Sequence, residues 1–309
     1  MYYFIVNTAS RTGKTEKIWN EIKQELREKQ IEYQAYLTEY KGHARELAEQ
    51  ITNTEIEAML HMVVVGGDGT ANEVINGIRD FEKVIFSYIP TGSGNDLGRG
   101  LKISVNHKEA LERILSGTEY YYMDLGKVSW GRKLQEHSYF NISSGIGLDA
   151  EVCRRTNTTG MKQILNKLHM GNLTYLFQTI LAVMTMPMIE AEIQLEDGKK
   201  KRIHRLICMA VMNHRCEGGG IPMAPKASDT DGRLSVCVIY GVPRLKAFFL
   251  LIMLVLGKHE HFRGIEVHDS SSVKIWLQEP MTGHTDGEDI GDRIRLQYQC
   301  LPGKLTILK

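Results

Sequence analysis

The stretch "MVVVGGDGTANEVINGI", Met62 to Ile78, decides the fold. Four apolar residues run straight into Gly66, Gly67, Asp68, Gly69 and Thr70, and a helical pattern follows. Each part has a mechanical reading. Glycines without a Cβ let backbone amides approach a polyphosphate closely, and the helix behind them offers free N–H groups and the positive end of its dipole. Thr70 is placed to cap that helix. A carboxylate beside phosphates repels them unless a cation or a bridging water lies between, so Asp68 is expected to face a metal or water of the nucleotide site. The plainer reading is a tight turn between strand and helix with an incidental aspartate.

The next apolar run ends in a second loop of the same layout, "IPTGSGNDLGRGL", Ile89 to Leu101. Pro90 ends the strand, Gly92 and Gly94 allow close approach, and Asn95 with Asp96 opens another helix with polar groups. Outward from these loops, strand-like runs (Tyr2–Val6, Ile31–Leu37, Met62–Val65, Val84–Ile89) alternate with helical patterns (Lys14–Lys29, Ala44–Ile51, Ala71–Ile78, Lys108–Leu115). That alternation predicts an α/β, Rossmann-like N-terminal domain with a parallel sheet, which binds ligands at the carboxyl ends of its strands. Beyond Tyr120 the chain reads as strands joined by short turns ("EDGKK", "TDGR", "MTGHTDGED"), with helical stretches near Lys162–Met184 and Arg244–Leu256. This predicts a larger antiparallel β-sandwich domain carrying a few helices.

A further glycine and lysine pair stands in "TASRTGKT", Thr8 to Thr15. A phosphate-binding P-loop needs glycine where Thr8 stands, so an ordinary turn with Lys14 on the first helical turn is the alternative.

The 309 residues favour two domains. A net charge of +1 gives no reason to expect a nucleic-acid partner. The densest basic run, Lys199 to Arg202, reads as a solvated hairpin turn. Five scattered cysteines without a CxxC pair suggest neither disulfides nor zinc, which fits a reducing cytoplasm. "MYYFIVN" reads as a first strand and not as a secretion signal. The longest apolar run, Ala247 to Leu256, falls short of the roughly 20 residues that span a bilayer.

"GGDGT", "PTGSGNDLGRGL", "NISSGIGLDAEV" (Asn141 to Val152), "SDTDGRLSV" (Ser228 to Val236) and "TDGED" (Thr285 to Asp289) occur in the order found in bacterial diacylglycerol kinase-like lipid kinases. The chain resembles that family over nearly its whole length, with sphingosine, ceramide and NAD kinases as wider relatives. In the family the first loop usually reads Asn-Pro-x-Ser/Ala-Gly. Asn7, Ser10 and Gly13 echo it loosely, the proline is missing, and Lys14 need not act as a P-loop lysine. The resemblance implies that ATP phosphates are cradled by Gly66, Gly67, Asp68, Gly69, Thr70, Ala71 and Asn72, with Asn7, Thr38, Ser93, Gly94, Asn95 and Asp96 adding contacts. Ser93 stands where the family more often has threonine. It further implies a structural Mg²⁺ at Asp231 with the backbone carbonyls of Ser228 and Arg233, and Asp124 as a further acid near that network. By the residues alone, Asp231 reads as a turn aspartate before glycine.

The resemblance also implies Glu288 as general base, with Asp68 in the catalytic set, because a hydroxyl attacking the γ-phosphoryl of ATP must lose its proton late in a loose transition state. Asp286 and Asp289 flank it, and only position in the motif distinguishes the three. Read without the resemblance, the cluster is a solvated acidic hairpin. His259, His261 and His268 lack a supporting ligand pattern and read as surface residues, as does "NHRC", Asn213 to Cys216.

The expected function is ATP-dependent phosphorylation of a lipid hydroxyl, diacylglycerol first. The nucleotide domain would take residues 1–120 with 298–309, and the lipid-substrate and Mg-binding domain 121–297. The partner would be lipid at a membrane surface, contacted transiently by a cytoplasmic protein, and a homodimer is compatible with this. A NAD kinase-like or sphingoid-type kinase, and a lipid- or nucleotide-binding protein of low turnover, are the alternatives.

Overall fold

A computed structural model of the chain describes residues 1–9, 14–54, 59–117, 119–158, 179 and 181–309. These divide into two compact units, 1–125 with 218–220 and 301–309, and 126–217 with 221–300.

In the first unit strands and helices alternate: β1 (Tyr2–Val6), α1 (Lys14–Glu28), β2 (Tyr33–Leu37), α2 (His43–Thr54), β3 (Leu60–Gly66), α3 (Asp68–Gly77), β4 (Val84–Pro90), α4 (Asp96–Gly100) and α5 (His107–Ser116). The first four strands pair in parallel in the order β2-β1-β3-β4. The last residues of the chain extend this row, Thr306 and Ile307 pairing in parallel with Ile85 and Phe86. β3 and β4 are buried almost throughout, which explains why they read as continuous apolar runs and not as alternating ones. Trp19, Ile22 and Leu26 of α1 lie one turn apart and pack with Phe4, Val63, Val65 and Leu111. The Asn106 side chain accepts the Lys108 N–H at the start of α5, and Gly117 in the left-handed region stops it.

The second unit is antiparallel. Its strands are β5 (Tyr120–Trp130), whose first half lies in the first unit, β6 (Glu136–Phe140), β7 (Ser143–Gly147), β8 (Ile189–Leu195), β9 (Lys200–Met212), β10 (Leu234–Tyr240), β11 (Ile265–Ser270), β12 (Ser272–Thr285) and β13 (Glu288–Leu308). The order runs β11-β10-β9-β7-β12-β13, and β8 joins β9 and β12 along their outer halves. Two helices, α6 (Leu148–Thr158) and α7 (Arg244–Val255), cover one side. Met209 and Val211 of β9 fill one core with Phe140, Ile146 and Tyr298, while Cys208, Ala210 and Met212 fill another beneath the two helices. Most of the helix expected near Lys162–Met184 lies outside the described residues.

One glycine fixes how α2 and α3 cross. A Cβ on Gly77 would fall inside contact distance of the Arg45 backbone carbonyl and at 2.8 Å from the Ala48 Cβ. Gly77→Ala is therefore expected to lower stability by about 1–3 kcal/mol through overpacking. The urea midpoint measures this, and an unchanged midpoint would refute the crossing argument.

Candidate functional site

The two glycine loops follow adjacent strands and touch each other. A Cβ on Gly92 would come within 2.6 Å of the Gly67 Cα, and one on Gly67 within 3.3 Å of the Gly92 Cα. These glycines let the loops pack backbone to backbone, whatever else they approach. The Thr91 N–H donates to the Gly66 carbonyl at 2.7 Å. Asp68 completes the join, its carboxylate accepting the N–H groups of Asp96 at 3.0 Å and Leu97 at 3.2 Å. It thus caps α4 from the neighbouring loop. These backbone N–H groups are partners that the sequence reading did not foresee for Asp68. Burial first, then the Asp68 and Asp96 carboxylates, push the Tyr88 phenol well above its ordinary pKa.

The remaining loop residues divide between fold and surface. Thr70 does not cap α3: the helix starts at Asp68 with Gly67 as its N-cap, and the buried Thr70 hydroxyl accepts from Asn7 Nδ2 at 3.0 Å. Asn72 is buried, with its side-chain oxygen 3.3 Å from Asn76 Nδ2, so it faces inward. Asp96 is buried, ion-paired with Arg99, and accepts the Gly219 N–H at 2.7 Å. Ser93 is exposed, and Gly67, Gly69, Gly94 and Asn95 are half-buried. Asn95 holds a left-handed backbone, and its Oδ1 is buried without a hydrogen-bond partner among the described residues. Thr38 is half-buried at the end of β2, its N–H donating to the Val6 carbonyl.

The first loop is no P-loop in its chemistry. The Thr15 hydroxyl, which would have to reach a metal, is fully buried and donates to Thr91 Oγ1 at 3.0 Å. Lys14 is exposed, and Ser10 and Gly13 lie outside the described residues.

In the second unit the acidic turn resolves into three different roles. Asp286 and Gly287, both at positive φ, form a two-residue hairpin between Thr285 and Glu288. The Asp286 carboxylate accepts four hydrogen bonds at 2.8–2.9 Å: the N–H groups of Asn141, Ile142 and Ser143, and Asn141 Nδ2. Asp289 is held by the Arg154 guanidinium through two bonds and by the Gly291 N–H. Arg154 keeps its carboxyl below the ordinary range against the opposing effect of burial. Glu288 is half-buried at the head of β13. The neighbouring acids are committed to the scaffold, which corrects the view of the cluster as a solvated hairpin.

Sequence reasoning missed the group beneath this turn. His284 is buried, its Nε2 lies 3.1 Å from Asp149 Oδ2, and Gly287 N–H donates to its Nδ1 at 3.2 Å. In the neutral ring the proton therefore sits on Nε2 and is given to Asp149. Burial lowers the His284 pKa, but Asp149, aided by Glu217 and Asp286, leaves it raised. Ligand atoms of Asp149, Glu217 and His284 lie within 4.8 Å of one another, a spacing open to a cation. Gly145 makes the room, since a Cβ would strike Asp149 Oδ2. "GIGLDAEV" and "GHTDGED" contain these residues, but nothing local signals that the two segments meet.

The proposed metal ligands fall in different units. Asp231 is exposed, and its Oδ1 accepts the Arg233 N–H in its own turn at 2.9 Å. Asp124 is buried in the first unit, and its Oδ1 accepts the Gly303 N–H at 2.7 Å. The surface reading holds for His261 and His268 but not for His259, which is fully buried and 3.1 Å from the Met223 carbonyl. Asn213 and His214 are likewise buried, because their segment continues β9 into the core.

Parallel strands ending in paired glycine loops, followed by an antiparallel unit, define a kinase-like architecture in which helix N-termini can meet phosphate. The Diacylglycerol kinase catalytic domain family model matches residues 1–128, and the YegS C-terminal NAD kinase beta sandwich-like domain matches 142–309. The chain belongs to this diacylglycerol kinase-like family of lipid kinases, which are ATP-dependent phosphotransferases. It is 28% identical over 294 residues to YtlR of Bacillus subtilis (strain 168), named as a candidate lipid kinase, covering 94% of each chain. With the diacylglycerol kinase of the same organism identity is 26%, covering 80% of this chain and 78% of that one. A crystal structure of a candidate diacylglycerol kinase from Bacillus anthracis str. Sterne matches with a TM-score of 0.76 at 22% identity, covering 99% of this chain and 96% of that one. An NAD kinase from Archaeoglobus fulgidus in complex with ATP shares the fold at a TM-score of 0.51 and 13% identity, covering 100% and 94%.

Two stability experiments follow from the carboxylate roles. Asp68→Ala is expected to cost about 1–2 kcal/mol, the usual loss of a helix cap, whereas a residue that faces only nucleotide would leave the melting of ligand-free protein unchanged. Asp286→Ala strands three backbone N–H donors and is expected to cost about 3 kcal/mol or more, while Asp289→Asn, part of a half-exposed ion pair, costs less than about 1 kcal/mol. Equal urea midpoints for the last two variants would overturn the division of roles.

Proposed function

We propose that the chain transfers the γ-phosphoryl group of ATP to the hydroxyl of diacylglycerol, giving phosphatidic acid. The observation that carries this reading is the locked pair of glycine loops at the ends of β3 and β4, in a chain of the lipid kinase family. We read the first unit as a Rossmann-like nucleotide domain. The N-terminus of α3 supplies N–H donors for phosphate oxygens, and Asp68 fixes the neighbouring loop by capping α4. Ser93, exposed on the second loop, offers a further polar contact.

Oxygen-only donors suit Mg²⁺. Asp231, with the carbonyls of Ser228 and Arg233, would hold it as a structural ion, since the Asx-type turn engages Oδ1 alone. When bound with ATP, Mg²⁺ would supply charge neutralisation of the polyphosphate. Asp124 acts through the terminal strand by its bond to Gly303.

Glu288 acts as general base. Asp286 and Asp289 hold the turn, and Glu288 stands between them at the head of β13, in the position that the motif gives the base. It accepts the proton of the acceptor hydroxyl as the new P–O bond forms and the bond to the β-phosphate oxygen breaks, leaving ADP.

The acceptor is identified by incubating purified protein with ATP labelled at its γ-phosphorus and a panel of diacylglycerol, sphingosine, ceramide, undecaprenol and NAD, followed by thin-layer separation. Label is expected in phosphatidic acid, and label in another product reassigns the acceptor. In the same assay Glu288→Gln should lower kcat by about two to four orders of magnitude while ATP binding persists. Wild-type turnover by that variant would remove Glu288 from the mechanism.

A further inference from the structure

Helix α7 has two apolar faces. Ala247, Leu250 and Leu254 are buried and pack in the core with Cys237, Ile239 and Ile265. The other side carries Leu245, Phe248, Phe249, Ile252 and Val255, with Leu256 just beyond, all between 40 and 88% exposed. Their spacing of three and four residues puts them on one continuous stripe. Soluble proteins rarely leave so large an apolar stripe to water without a partner for it.

The surroundings of the stripe are basic. Residues 241–259 contain Arg244, Lys246 and Lys258 and no aspartate or glutamate. Lys246 and Lys258 are exposed, one near each end of the stripe, and neither forms an ion pair among the described residues. Glu260, the next acid along the chain, is paired with Lys226 at 2.9 Å. The Arg244 guanidinium donates to the carbonyls of Met184 and Met186, which brings a second segment with exposed Leu181 and Met184 to the start of the helix. At 12 residues α7 is about 18 Å long, and no described helix is long and apolar enough to cross a membrane.

We propose that this face of α7 docks the protein on an anionic lipid bilayer, the helix lying in the plane of the interface with its stripe among the upper acyl chains and Lys246 and Lys258 at the headgroups. The proposal rests on the lipid kinase reading for its purpose, since an acceptor dissolved in a bilayer must be met there. Charge selects the bilayer over a second copy of the chain. Antiparallel pairing of two α7 helices would bring Lys246 of each copy toward Lys258 of the other with no carboxylate on the helix to offset them, whereas an anionic surface attracts both.

The test is sedimentation of the full chain with vesicles, either pure phosphatidylcholine or an equal mixture with phosphatidylglycerol. Wild-type protein is expected to partition onto the mixed vesicles. L245S/I252S should weaken this by about tenfold or more, and K246E/K258E should weaken it as strongly on mixed vesicles without altering the pure phosphatidylcholine result. All substitutions lie on the exposed face, and retained melting temperatures verify the fold. Light scattering gives the competing outcome: a wild-type dimer that L245S/I252S dissociates assigns the stripe to a second copy and overturns the proposal. Vesicle binding unchanged in both variants overturns it as well. Phosphorylation of a dispersed short-chain diacylglycerol is measured in parallel. Its absence in wild type would sink diacylglycerol as the acceptor without touching the binding result, and its retention in the variants separates docking from chemistry.

Discussion

The first unit depends on one close approach, that of Gly67 and Gly92. The two loops leave neighbouring parallel strands about 5 Å apart, a spacing set by the hydrogen bonds between β3 and β4. A single methyl group at Gly92 would collide with the opposing backbone, so both loops are held to one conformation by packing. Asp68 then has α4 within reach, and its carboxylate satisfies two N–H groups that the helix start leaves open. Thr15 and Thr91 add a buried hydroxyl pair that fixes the start of α1 to the same loop. Three helices are thereby referred to one small patch of backbone, which holds the two loops rigid.

The second unit uses a carboxylate for the same purpose. Asp286 stands at positive φ in the hairpin and draws in three successive N–H groups of the segment before β7. Beneath it His284 receives the Gly287 N–H and meets Asp149, the first-turn acid of α6. Strand, turn and helix are joined through one hydrogen-bond network, and such networks specify one arrangement of the chain. Glu288 is presented by a turn that is fixed on both sides.

At α7 packing and exposure part company. The helix contributes to the core with one face and keeps an equally apolar face outside, so its composition reads as that of a buried element. Among the described residues, none buries that second face.

The sequence by itself determined the elements and their kinds. Strands β1 to β4 and helices α1, α2, α3 and α5 follow from period 2 or continuous apolar runs, from the 3.6-residue period and from turn residues, which are local properties. The motif order determined the family, and the two glycine loops were legible as a pair. Which atoms those residues touch was decided only by tertiary structure. Asp68, Asp286 and Asp289 are alike as letters, yet one caps a helix 28 residues away, one gathers the backbone near Asn141, and one pairs with Arg154. Asp149 and His284 gave no local signal because they are 135 residues apart in the chain and 3.1 Å apart in the fold. A carboxylate's role is set by which donors surround it, and those donors are brought by the folding of distant segments, which no short window of sequence contains.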